Sequence, residues 1–196
     1  MKDKDYILLQ DAYKSLYHGS NNDIIGGFDE NKIGSSATAY GWGVYFSEEE
    51  SYAKTQGKGH NIDMQGKMYY VDIDYNSDEF IKLDYPITEQ STIIKNIVNK
   101  FKKQIETGSG RYGFNDNDIG IRLYRYIRES FGYPKEQNGL QNTEWDKYGN
   151  KDKNTSMFLV SQGIKGGIFY TSTKEGYVKN YIIYDLSILK NLKRIY

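Results

Sequence analysis

Cysteine is missing from all 196 residues. That absence excludes disulfide staples and thiolate chemistry, whether nucleophilic or redox. Histidine is nearly missing as well. With only His18 and His60, a structural zinc site has almost no ligands, and no metal is expected. Net charge is also lacking, since Lys+Arg and Asp+Glu are both 26. A neutral chain has no general electrostatic reason to sit on DNA or an anionic membrane, although a local basic patch is compatible with neutrality. Long apolar runs are absent too. After Met1-Lys2-Asp3-Lys4-Asp5, the stretch Tyr6 to Leu9 is too short for a signal-peptide core, and nothing later reaches transmembrane length. The expectation is a soluble protein, with no membrane partner, acting in the cytoplasm where it is made or delivered. There is no GxGxxG unit and no P-loop, so a dinucleotide would have to be held another way.

What is present suits one folded domain. The hydrophobic fraction is 38% and the aromatic fraction 15%, with 20 tyrosines. That is enough to build a core over this length and too much for an extended disordered chain. Residues 14–19 read as a short strand, followed by a glycine- and serine-rich stretch from Gly26 to Gly43. Val44-Tyr45-Phe46 reads as a second strand. Ser47 with Glu50 matches a capping box, predicting a helix over 48–56 that Gly57 stops. Residues 68–75 alternate, with Tyr69, Val71, Ile73 and Tyr75 on one face. After Pro86, Ile93, Ile97, Phe101 and Ile105 recur every fourth residue and predict one amphipathic helix ending before Gly108. Ile119, Leu123, Ile127 and Phe131 predict another, closed by Gly132 and Pro134. Residues 134–155 are polar and read as a mobile surface loop. A short helix at 157–162, strands at 168–170 and 181–184, and a last apolar stretch at 188–195 complete the pattern. Strands at both ends with a helical insertion over about 86–132 predict an α+β domain on an antiparallel sheet.

Three short segments stand out together: Tyr17-His18-Gly19-Ser20, Tyr40-Gly41-Trp42-Gly43-Val44-Tyr45-Phe46-Ser47 and Asn180-Tyr181-Ile182-Ile183-Tyr184-Asp185. Singly, each has a bland reading. A histidine beside glycine is ordinary, a Tyr-Phe pair in a strand is more often core than site, and 181–184 makes an unremarkable buried strand. In order, they resemble the poly(ADP-ribose)-polymerase-like and diphtheria-toxin-like branch of ADP-ribosyltransferases. There a His-Gly strand, a Gly-x-Tyr-Phe strand leading into a helix, and a late strand opening on the third active-site residue form the pattern. Asp78-Glu79-Phe80, Thr88-Glu89-Gln90, the helix from Gly120 to Tyr124 and Gly163-Ile164-Lys165-Gly166-Gly167-Ile168 look like the ADP-ribosyltransferase domains of polyvalent proteins from phages and conjugative elements.

The resemblance implies a split antiparallel sheet with an NAD cleft between its halves. NAD would be the substrate, and no metal would be needed. It implies that His18 bonds the adenosine-side ribose, that the backbone of Gly19 grips the carboxamide, and that Ser20 and Gly43 lie beside them. Tyr45 would stack on nicotinamide, with Tyr52 or Gln56 of the following helix covering the other face. Asn180 stands where the polymerases carry a glutamate. An amide can bond a ribose hydroxyl but brings no charge and no general base. The implied activity is therefore mono-ADP-ribosyl transfer to a macromolecule, with a host protein as the expected acceptor and nucleic acid left open. The alternatives are a binding module for NAD or ADP-ribose that has lost catalysis, and an NAD-hydrolysing toxin. Glu175 and Asp185 flank the strand and offer substitute charges. Lys100, Lys102 and Lys103 read as a solvated helix face.

Overall fold

The computed structural model describes residues 13–34, 39–58 and 66–195. The N-terminal segment and His60 lie outside the described residues. The chain runs β1 (Tyr13–Ser20), β2 (Val44–Ser47), α1 (Glu50–Lys58), β3 (Lys67–Asp74) and β4 (Phe80–Lys82). It then enters four helices, α2 (Thr92–Lys100), α3 (Lys102–Ser109), α4 (Gly120–Ser130) and α5 (Lys151–Ser161). It returns through β5 (Gly166–Thr173), β6 (Gly176–Ile183) and β7 (Leu189–Arg194). The strands form one sheet in the order β4-β5-β6-β2-β1-β3-β7, parallel between β4 and β5 and antiparallel elsewhere. This is an α+β fold on a seven-stranded, mostly antiparallel sheet.

Both faces of the sheet are covered, and β6 shows why. Ile182, and Tyr184 just past the end of β6, point into a core shared with Ile94, Leu123, Ile127 and Phe158 of the helices. The alternate residues Tyr181 and Ile183 point the other way, against Leu16, Phe46, Val71 and Ile188. A strand buried on both sides reads as a near-continuous apolar run, which is what 181–184 is.

The helical insertion differs from its expected outline. The single helix expected after Pro86 is two, α2 and α3, with Phe101 between them at φ −111°, ψ 25°. The Phe101 ring packs edge-on against Phe158 and Trp145, 4.8 and 5.7 Å away between centroids, and the backbone turns to place it there. Residues 134–155 are not a free surface loop. Leu140 is buried in the core, Asn154 donates to Asp146 and accepts from the Tyr148 amide, and α5 already begins at Lys151. Polar composition hid this because the buried polar groups satisfy one another. α1 runs past Gly57, and the Ser47 hydroxyl accepts from the Glu49 amide. The short strand β4 carries too few residues to show alternation. Among the described residues no helix is long and apolar enough to cross a membrane.

Candidate functional site

The sheet nearly opens between β1 and β2. β1 pairs with β3 along its whole length, from Tyr13 opposite Asp74 to Ser20 opposite Lys67. Towards β2 it makes one register pair, Tyr17 with Ser47. Beyond that rung, the edge of His18, Gly19 and Ser20 facing β2 carries no strand pairing. The His18 ring bridges the gap, its Nδ1 2.7 Å from the carbonyl oxygen of Tyr45.

That one bond settles the chemistry of the imidazole. A carbonyl only accepts, so Nδ1 carries the proton and donates it. Burial between Phe28 and Phe46, whose rings lie 5.2 and 5.5 Å away, pushes the imidazole below its ordinary value against the opposing effect of the Tyr45 carbonyl. The ring is therefore neutral at neutral pH, and Nε2 presents a lone pair, an acceptor for a ligand hydroxyl.

Tyr45 and Asn180 sit on the helix-covered face. β2 pairs with β6 so that Tyr45 lies opposite Ile182 and Ser47 opposite Asn180. Asn180 in turn lies opposite Phe169 on β5, and the Phe169 ring stands edge-on to Tyr45 at 6.2 Å. The two side chains are thus one strand step apart on one face, both beside Phe169. Asn180 is buried, and its amide Nδ2 donates to the Thr171 hydroxyl and to the Val178 carbonyl, both at 3.1 Å. Oδ1 accepts from no described group, so the oriented oxygen is the available polar atom.

The Tyr45 hydroxyl has work of its own. It donates to the Gly41 carbonyl at 3.0 Å and accepts from the Tyr40 amide at 3.1 Å, tying down the loop that enters β2. Burial raises its pKa to about 12, so it stays protonated. The loop is also held by Tyr124 of α4, whose hydroxyl accepts from the Trp42 amide and donates to the Asp152 carbonyl. Gly41 has φ +120°, and a side chain there would meet the Tyr124 ring at 2.7 Å. A Cβ on Gly43 would lie 2.5 Å from the Ile183 carbonyl oxygen, so that glycine has a packing reason independent of any ligand.

The remaining expected residues fall as follows. Gly19 and Ser20 close β1 at the unpaired edge, and the Ser20 hydroxyl donates to the Asn22 carbonyl. Tyr52 is half-buried on α1 and Gln56 is exposed there; neither bonds to His18, Tyr45 or Asn180. Neither flanking carboxylate substitutes for a charge at 180. Glu175 is exposed in the β5–β6 turn, and Asp185 caps the turn after β6 through Ser187.

The chain matches no protein-family model, and no curated protein or solved structure matches it.

Sequence reasoning missed two features. On the sheet face opposite Asn180, Glu48 gathers Lys14, Lys179 and the Tyr181 hydroxyl. Burial alone would raise the Glu48 carboxyl, but the bonds from Lys14 and Tyr181 with the charges of Lys14 and Lys179 hold it below its usual range. This cluster ties β1 to β6 across β2. The second is a cleft of about 680 Å³ beside α4. Its walls include none of His18, Tyr45 and Asn180, but they do include Ala39 and Tyr124, which border the 40–43 loop. The signal was in the sequence as Arg122, Arg125 and Arg128 at helical spacing.

Proposed function

We propose that this chain is an NAD-dependent mono-ADP-ribosyltransferase of the split-sheet kind, with the β1–β2 seam as the nicotinamide-side pocket. The observation that carries the reading is the seam itself: an unpaired edge at His18 to Ser20, bridged by an imidazole that burial keeps neutral and the Tyr45 carbonyl orients. A strand edge with free amide and carbonyl groups suits a flat carboxamide, which needs one donor and one acceptor side by side. His18 Nε2 and Asn180 Oδ1 supply acceptors for ribose hydroxyls.

The reaction asks little covalent work of the protein. The bond from C1′ to nicotinamide breaks with an oxocarbenium-like transition state, neutral nicotinamide leaves, and the acceptor's nucleophile forms the new bond to C1′ while releasing its proton to water. Asn180 orients a ribose hydroxyl without adding charge, which fits single transfer to a good nucleophile rather than chain growth. A second reading is favoured by the same residue. With no carboxylate at 180 and neither Glu175 nor Asp185 in its place, the seam can serve as a binding module for NAD or ADP-ribose.

The test is incubation with NAD labelled in the adenylate half, in host lysate. Label on a macromolecule with release of nicotinamide supports transfer. Label recovered only as free ADP-ribose supports hydrolysis, and no turnover with retained NAD binding supports the module. If millimolar NAD neither binds by calorimetry nor raises the melting temperature, the proposal fails.

A further inference from the structure

Of the 26 cationic side chains only five are arginine, and four of those five line one cleft. Arg111, Arg122, Arg125 and Arg128 converge there, facing the carboxylates of Glu129 and Asp152, and no lysine contributes to its walls. Elsewhere, apart from Arg194, lysine is the cation of this chain. Arginine differs from it in presenting a rigid planar fork that grips phosphate in bidentate fashion and stacks on flat rings. The concentration of arginine at this one place therefore points to a ligand and not to general surface solvation.

The geometry narrows the ligand. Arg122, Arg125 and Arg128 follow one another on one side of α4, and helical rise spreads them over about 9 Å along its axis. Arg122 is braced by Asp118 at 2.9 Å, and Arg128 by Asp152 at 2.7 Å and by Glu129. Between them Arg125 is exposed and bonds to no described group. The rim carries aromatic rings in the open. Tyr112 is 73% exposed, with the Arg111 guanidinium beside it, and Tyr133 is partly exposed. Exposed rings next to a row of guanidinium groups match the way proteins hold unpaired bases by stacking while a basic groove follows the backbone. An acidic peptide would use the arginines and leave the tyrosines idle.

We propose that this cleft binds single-stranded nucleic acid, with Arg125 on the phosphates and Tyr112 stacked on a base. The cleft adjoins the loop that anchors Tyr45, through Ala39 and through Tyr124. Only if the proposed transferase activity holds does the bound strand become the candidate acceptor; the binding does not require it.

Fluorescence anisotropy on the full chain tests the proposal, using labelled DNA and RNA single strands of about twelve nucleotides, a length within the span a small groove covers. A DNA duplex and polyglutamate serve as rivals. Expected is tighter binding of single strands than of duplex, with weak competition by polyglutamate. The DNA and RNA arms then tell which sugar is preferred. Arg125→Ala should reduce the slope of log affinity against log salt by about 0.7, the share of one phosphate contact on a single strand. Tyr112→Ala should weaken binding roughly fivefold to a hundredfold, the loss of one stacked base. Lys102→Ala on α3, outside the cleft, should bind as wild type. Both cleft residues are exposed, so their variants should fold, which the melting temperature checks. The inference is overturned if no strand binds at low salt, if duplex or polyglutamate binds as well, or if Arg125→Ala and Tyr112→Ala match wild type. Binding of NAD is measured on the same sample. A strand that binds without NAD binding sinks the transferase reading alone, and the reverse sinks this inference alone.

Discussion

At the scale of single residues, Tyr45 and His18 have structural duties that do not depend on any ligand. The Tyr45 hydroxyl satisfies one donor and one acceptor of the entering loop, the Tyr40 amide and the Gly41 carbonyl. Tyr45→Phe keeps the ring face but strands both groups, so it should lower stability by about 1–3 kcal/mol. Denaturant midpoints of the two proteins check this; an unchanged midpoint would mean the loop does not depend on the hydroxyl. For His18 the sign of the pH dependence follows from its lowered value. The unfolded chain takes up the proton near 6.5 and the folded chain only at lower pH. The His18 contribution is thus complete above 6.5 and is lost as pH falls from there through the folded value. His18→Gln should flatten that part of the stability-against-pH curve. Asn180 sits between structure and chemistry, because its amide protons are spent on Thr171 and Val178 while Oδ1 is not. Asn180→Ala should cut nicotinamide release roughly tenfold to a thousandfold, the range for one lost oriented hydrogen bond. Thr171→Val removes a brace of the amide but keeps Oδ1, and should cost turnover less. Equal turnover in Asn180→Ala and wild type would remove Asn180 from the site.

At the scale of elements, the loop from Tyr40 to Gly43 and the start of α5 hold the sheet and helices in register. Gly43 lies so close to β6 that any Cβ meets the Ile183 carbonyl and the Ile182 side chain. Gly43→Ala should therefore push β2 from β6, with destabilisation of about 1–3 kcal/mol typical of overpacking. Helix α5 is capped by Asn150, whose side chain accepts from the amides of Asp152 and Lys153 at 2.8 and 3.1 Å. Asn150→Ala should lower stability by about 1 kcal/mol through the lost cap. A thermal melt reads both. A larger loss at Asn150 than at Gly43 would mean that α5, and not the β2–β6 contact, carries the packing around Tyr124.

Across the whole molecule, one sheet is held together along a line where its strands barely pair. The single rung at Tyr17 is supplemented by His18 on one side and by the Lys14–Glu48–Tyr181 cluster on the other. A ligand that fills such a seam binds the native state only. At a hundredfold excess over its dissociation constant it should add about 2.7 kcal/mol. Differential scanning with NAD should show that gain in wild type and lose it in His18→Ala, whereas adenosine alone should give little in either.

Local pattern determined much of this chain. Alternation in 68–75, the two-sided apolar run at 181–184 and the fourfold spacing in 119–131 each report a face that must be buried, and burying apolar surface is what chiefly drives folding. The α+β class was legible for the same reason, and the candidate residues His18, Tyr45 and Asn180 were proposed from the order of three short segments. What lay beyond the sequence depends on groups brought together from far apart. The break at Phe101 answers to Phe158 and Trp145, which local propensity for helix does not register. The order in 134–155 rests on hydrogen bonds among Asp146, Tyr148 and Asn154, and polar composition does not distinguish satisfied groups from solvated ones. The tautomer of His18 is set by a carbonyl 27 residues away. The gathering of four arginines needed α3, α4 and α5 to pack before spacing on one helix became a cleft, because a wall is a property of three elements and a periodicity of only one.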